Sequence, residues 1–223
     1  IPYANGDYRT TSDGNWPNTT GTWELMTNGV WASATRPSGS YSGGRLYIQH
    51  TISTSGSFSS PSISILENGK FTVNASSTIA DLKVYSGGTF EAANSMTMSA
   101  SASAKNVVVE SGGKFVLNAA TLTSNGTGSS IWNGNEDFQS GSILEIRNWN
   151  YSASSGAQRL VYSTPQVSAN ANGYFFGNIH YYGAQTVTFA FLNGFNALKL
   201  CENNLMIESA GSGVIALSTT TAN

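Results

Sequence analysis

The side chains able to do chemistry in this sequence are few and dispersed. Its 12 carboxylates fall mostly one at a time, and only Glu136 and Asp137 are neighbours. Two carboxyl groups about 5–9.5 Å apart can cleave a glycosidic bond, one as acid and the other as base or nucleophile. Glu67 and Glu110 are the pair best suited to this, because outward residues on neighbouring turns of a repeat could reach that separation. A lyase acting on acidic sugars would need clustered acidic calcium ligands with an Arg or Lys base, and the placement of Glu136, Asp137 and Arg147 decides that case. Adjacent strand residues point to opposite faces, so Glu136 and Asp137 would share a cation only from a loop. Solitary solvated carboxylates are the simpler account of the set.

No other catalytic constellation is present. His50 and His180 lie far apart with no Cys, Asp or Glu at ligand spacing, which argues against zinc. No G-x-S-x-G elbow, phosphate loop or H-E-x-x-H motif occurs. Cys201 is the single cysteine, so no intramolecular disulfide can form, and its place in the alternating stretch Leu198-Lys-Leu-Cys201 predicts a buried, inert thiol. The expectation is a chain without catalytic residues, metal or cofactor. The alternative is a polysaccharide lyase or glycoside hydrolase on the same scaffold.

Binding chemistry is better represented. Indole and phenol rings stack on sugar faces while amides supply neutral hydrogen bonds. Trp132 with Asn135, and Trp149 with Tyr151, have that composition and are the candidate glycan contacts, weighed against ordinary burial of the same rings. Thr121-Leu-Thr123 and Thr186-Val-Thr188 hint at an ice-binding Thr array. The repeats described below place Lys, Thr and Lys where such an array needs one residue type.

These groups require a rigid frame, and composition says of what kind. Only 10% of residues are charged, against about 25% in an average domain, so Ser, Thr, Asn and Gly carry the solubility. The net charge is −2 and the 10 basic residues are scattered, which argues against nucleic acid. No apolar run approaches the roughly 20 residues of a membrane span. Three segments align: Ile63 to Asn74, Leu82 to Ala92 and Val107 to Asn118, each a short alternating strand, a glycine turn, a Phe and another strand. Gly69, Gly88 and Gly113 fall 19 and 25 residues apart, about one coil of a solenoid. Phe71, Phe90 and Phe115 would then stack at the strand spacing of about 4.8 Å, with Lys70, Thr89 and Lys114 facing outward and the glycines taking the positive φ of the corner.

Weaker copies extend the pattern from Arg45-Leu-Tyr-Ile to Gly213-Val-Ile-Ala-Leu217, giving roughly eight rungs, and helical periodicity is nearly absent. The predicted fold is all-β, a right-handed parallel β-helix over residues 45–223. Residues 1–44, with Trp16, Trp23 and Trp31 among turn formers, form an N-terminal hairpin cap, and about 147–184 an aromatic-rich insertion.

The opening Gly6-Asp7-Tyr8-Arg9-Thr-Thr-Ser-Asp-Gly14-Asn15-Trp16, followed by Thr22-Trp23-Glu24 and Val30-Trp31, resembles the start of β-helical modules in large secreted surface proteins of Bacteroidetes. Leu82 to Phe90, Asn178-Ile-His180, Thr186-Val-Thr188 and Leu205-Met-Ile-Glu208 extend the likeness over most of the chain. The resemblance implies export, commonly by the type IX route, and a place in long proteins associated with adhesion, the cell surface or polymer degradation. The expected function is an extracellular structural or adhesive module. Its expected partners are surface glycans or copies of itself, including assembly into a surface fibre, within a longer polypeptide and without membrane insertion.

Overall fold

The computed structural model describes residues 1–16, 23–59, 61–94, 96–98, 107–118, 136–147, 158–161, 171–182, 189–192, 200–208 and 215–218. Among the described residues the fold is all-β, without a helix. A first pass of the chain supplies β1 (Tyr8–Thr10) and β2 (Gly14–Trp16), and a hairpin of β3 (Trp23–Thr27) and β4 (Val30–Ala34) follows. Later passes contribute β5 (Arg45–Ile48) and β6 (Thr51–Thr54), then β7 (Ser62–Ile65), β8 (Lys70–Val73) and β9 (Ser77–Ile79). Next come β10 (Asp81–Val84), β11 (Thr89–Ala92) and β12 (Met96–Met98), then β13 (Val107–Val109) and β14 (Lys114–Leu117). The remaining strands are β15 (Glu136–Phe138), β16 (Ile143–Ile146), β17 (Gln158–Val161), β18 (Asn178–Tyr181), β19 (Phe189–Leu192), β20 (Leu205–Ile207) and β21 (Ile215–Ser218).

Successive passes, here called rungs, alternate between two eight-stranded sheets. The first sheet runs β15-β13-β10-β7-β5-β1-β3-β4 and the second β2-β6-β8-β11-β14-β16-β18-β20. Among the described residues all strand pairings are parallel except β1 with β3 and β3 with β4. Smaller parallel sheets join β9 to β12 and β17 to β19 to β21. The registers carry like residues onto like. Leu46, Ile63, Leu82 and Val107 form one inner row of the first sheet, and Ile48, Ile65, Val84, Val109 and Phe138 another. In the second sheet the inner row is Ile52, Phe71, Phe90, Phe115, Leu144, Ile179 and Leu205. Alternation of side chains along each strand buries these rows between the sheets, with Leu205 at the end of its row only partly covered. Rings continue through that core: Phe71 to Phe90 at 6.3 Å, Phe90 to Phe115 at 4.8 Å, Phe115 to Phe138 at 6.0 Å and Phe138 to Phe176 at 4.9 Å.

One corner repeats in four rungs. Gly69, Gly88, Gly113 and Ser142 each donate their N–H to the carbonyl three residues earlier. The residue before each is left-handed: Asn68 (φ 62°), Gly87 (75°), Gly112 (77°) and Gly141 (80°), the signature of a type II turn. The left-handed residues bond to one another along the stack, from Asn68 N–H to Gly87, Gly87 to Gly112 and Gly112 to Gly141, at 3.1–3.3 Å. The expected role of Gly69, Gly88 and Gly113 is therefore corrected. The positive φ belongs to the preceding residue, and at the second glycine of these rungs a Cβ would strike carbonyls of the rung before, at Gly88 Ile65 O at 2.8 Å and Leu66 O at 2.9 Å, whereas the fourth corner carries the side chain of Ser142 at that place.

At the other end of the first sheet β3 pairs antiparallel with β1, and β4 with β3, through a tight turn in which Asn28 (φ 52°) and Gly29 (φ 78°) are both left-handed. That is the type I′ geometry an Asn-Gly hairpin favours. Trp23, the first residue of β3, is buried in the core, and Trp16 is buried with its indole N–H donated to Pro37 O at 2.9 Å.

Candidate functional site

The outer face of the second sheet gathers the charges that the sequence disperses. Its first outward row is Thr51, Lys70, Thr89, Lys114, Ile143 and Asn178, and its second is Ser53, Thr72, Glu91, Val116, Glu145 and His180. Just past the strand ends, Asn118, Arg147 and Tyr182 prolong the ladder, each N–H donated to the rung before. The parallel register places Glu91 and Glu145 two rungs apart, about 9.6 Å along the stack, with Val116 between them.

Both carboxylates are ion-paired. Lys70 Nζ lies 2.6 Å from Glu91, and Asn118 donates to the same group at 2.8 Å. Lys114 Nζ lies 2.9 Å from Glu145. Arg147 bonds Glu145 through Nε and reaches 4.0 Å from Glu91 through Nη1, so one guanidinium bridges the two acids. Burial by itself would raise both carboxyl pKa values. Hydrogen bonds and charge from Lys70, Asn118 and Arg147 at Glu91, and from Lys114 and Arg147 at Glu145, outweigh it and hold both below the ordinary glutamate value. The exposures are asymmetric: 7% and 5% for the Glu91 and Glu145 side chains against 41%, 34% and 47% for Lys70, Lys114 and Arg147. A cavity of about 510 Å³ opens here, bounded among the described residues by Lys114, Glu145, Arg147 and Tyr182. His180 packs edge-on against Tyr182 at 6.4 Å.

The residues singled out from sequence are placed differently. Glu110 is paired with Lys83 at 2.9 Å on the first sheet's side, and Lys83 also covers the ring of Tyr85 at 4.5 Å. Glu67 occupies a corner turn in line with Ser86 and Ser111, two rungs from Glu110, so the structure does not bring the two together as a pair. Glu136 and Asp137 lie in strand β15 and not in a loop: Glu136 is buried in register with Val107, while Asp137 borders a smaller cavity of about 280 Å³ with Gln139, Ser140 and Asn172. Arg147 joins the lattice above. His50 accepts or donates to Thr10 Oγ1 at 3.0 Å, five rungs from His180. Cys201 is half-buried with Sγ 3.0 Å from Asn204 O, and burial raises its pKa, which keeps it a thiol. Trp132, Asn135, Trp149 and Tyr151 lie outside the described residues. Among the described residues no group of three metal-ligating side chains occurs.

Sequence reasoning misses Glu91 and Glu145, although a signal exists. Each is the third residue after the corner, in Thr89-Phe-Glu91 and Ile143-Leu-Glu145, so aligning the repeat as columns places both in one outward row. No protein-family model, curated protein or solved structure matches this chain.

Proposed function

We propose that this chain is a right-handed parallel β-helix module of an extracellular, cell-surface structural protein, and that it contacts glycans without chemically altering them. The alternation of the chain between two parallel sheets in constant register supports the architecture, since each rung must advance one strand spacing. The resemblance of the opening and tail segments to secreted surface proteins supports the location. The observation that carries the non-catalytic part is the clamping of Glu91 and Glu145. Glycoside hydrolysis needs one carboxyl group protonated, and both of these are held ionised by Lys70, Lys114 and Arg147. Donors, acceptors and a ring along one groove are the equipment of sugar recognition.

Applying the chain to an immobilised glycan panel tests this. Retention on a subset of glycans with no new reducing ends is expected; turnover of any bound glycan would overturn the non-catalytic reading. One observation favours a second reading, β-elimination on a uronate. Arg147 and Tyr182 border the cavity and His180 stands beside them, in register with Glu145 and edge-on to Tyr182, so a cation to neutralise the carboxylate and a base to take the adjacent carbon-bound proton are both at hand. The C–O bond at the next carbon would break as the C=C forms, and the leaving oxygen would take up a proton and depart as the alcohol end of the other fragment. Appearance of that conjugated double bond by ultraviolet absorbance separates the two readings.

A further inference from the structure

We infer that the groove over Lys70, Lys114, Arg147 and Tyr182 is a binding site for a linear anionic polysaccharide, one bearing carboxylates or sulfate esters. The inference rests on the proposal that the module contacts glycans and adds the chemical class of the ligand. Three cations and two carboxylates meet here, but they are not equally presented. The carboxylates sit at the base of the lattice, 7% and 5% exposed, while the ammonium and guanidinium heads reach solvent. What a ligand meets is therefore positive, with one cation in excess, on a chain whose overall charge is −2.

The donors are not used up by the internal pairs. An ammonium has three N–H groups and a guanidinium five, and Arg147 commits its Nε to Glu145 while Nη1 stands 4.0 Å from Glu91. Guanidinium matches the two oxygens of a carboxylate or sulfate in its plane. Lys70 and Lys114 lie in one outward row two rungs apart, about 9.6 Å, with Thr89 between them. That row favours a polymer running along the stack over a compact ion. The cavity at Lys114, Arg147 and Tyr182 gives one sugar ring a place to lie, with the phenol at its wall.

Titration calorimetry of the full chain tests this with polygalacturonate, dextran sulfate and unmodified dextran as probes. Binding to one or both anionic polymers and not to dextran is expected, weakening at least tenfold as salt screens the contacts. Arg147→Gln and Lys70→Gln should each weaken binding about tenfold or more, while Lys83→Gln, paired with Glu110 elsewhere, leaves it unchanged. Preference between the two polymers separates carboxylate from sulfate. Dextran binding as tightly as the anionic polymers would overturn the anionic assignment and leave the glycan reading standing. No binding to these three, with neutral glycans retained on the panel, would also overturn it; an empty panel as well would remove both. Should Arg147→Gln unfold the chain, acetylation of the wild-type lysines decides: bound polymer must protect Lys70 and Lys114 and not Lys83, and equal labelling would sink the site.

Discussion

The corner shows how two adjacent residues of the same type can be constrained by different physics. Gly87 is a dihedral requirement: a side chain at φ 75° costs about 1–2 kcal/mol, and Glu67 Cγ, 3.0 Å from the point a Cβ would occupy, can move aside. Gly88 is a space requirement at its own rung, because the atoms it would strike are backbone carbonyls of a hydrogen-bonded ladder and not a flexible side-chain end, while the fourth corner has the room that Ser142 fills. Urea unfolding should accordingly rank Gly88→Ala, at about 2–3 kcal/mol or more, above Gly87→Ala. Gly87→Asn should cost less than Gly87→Ala, since Asn tolerates the left-handed region and Asn68 already holds that place one rung earlier. Equal costs at positions 87 and 88 would refute the distinction. Phe90→Ala, between Phe71 and Phe115, should lose about 3–5 kcal/mol in the same measurement. This inner row was legible in the sequence because every inward position is apolar and the turn residues recur. The division of labour between the glycines was not, since a carbonyl of another rung leaves no mark in local sequence.

Among elements, the β3–β4 hairpin stands apart because it alone, among the described residues, pairs antiparallel. It covers the edge of β1, where unpaired N–H and C=O groups would otherwise invite another strand. Its outer strand, β4, has no fully buried residue and depends on β3 and on the turn. Replacing Asn28 and Gly29 together by Ala removes two residues suited to positive φ, at about 1–2 kcal/mol each. Hydrogen exchange should then quicken about tenfold or more at Val30–Ala34 and stay slow in β8, β11 and β14. Uniform acceleration would instead mean that the hairpin and the rungs unfold as one unit. The Trp residues among turn formers announced a hairpin, but its antiparallel seat on β1 came from pairing that sequence alone does not reveal. The charged lattice was hidden for a related reason. Residues remote in sequence become neighbours only once the rungs are stacked, and a list of solitary glutamates carries no trace of that.

Across the whole molecule, the lattice ties stability to acidity. In the unfolded chain Glu91 and Glu145 titrate near 4.5, whereas in the fold their pairing with Lys70, Lys114 and Arg147 keeps them ionised to lower pH. Between those values the unfolded chain holds more protons, so stability rises with pH. The contribution is complete above the ordinary glutamate value and is lost as pH falls through the lowered ones. Urea midpoints followed from neutral pH to about pH 3 should therefore decline in that acidic window. Glu91→Gln with Glu145→Gln should start lower at neutral pH and decline less steeply. A parallel decline in the variant would mean that other carboxylates govern the acid limb. Where the fold persists through the lowered values, protonation also removes the two negative charges beneath the cations, so a sulfated polymer, whose own charge does not titrate, should bind more tightly there than at neutrality. In this window stability and affinity would run in opposite directions, because the same carboxylates hold the rungs together and shield the cations from a ligand.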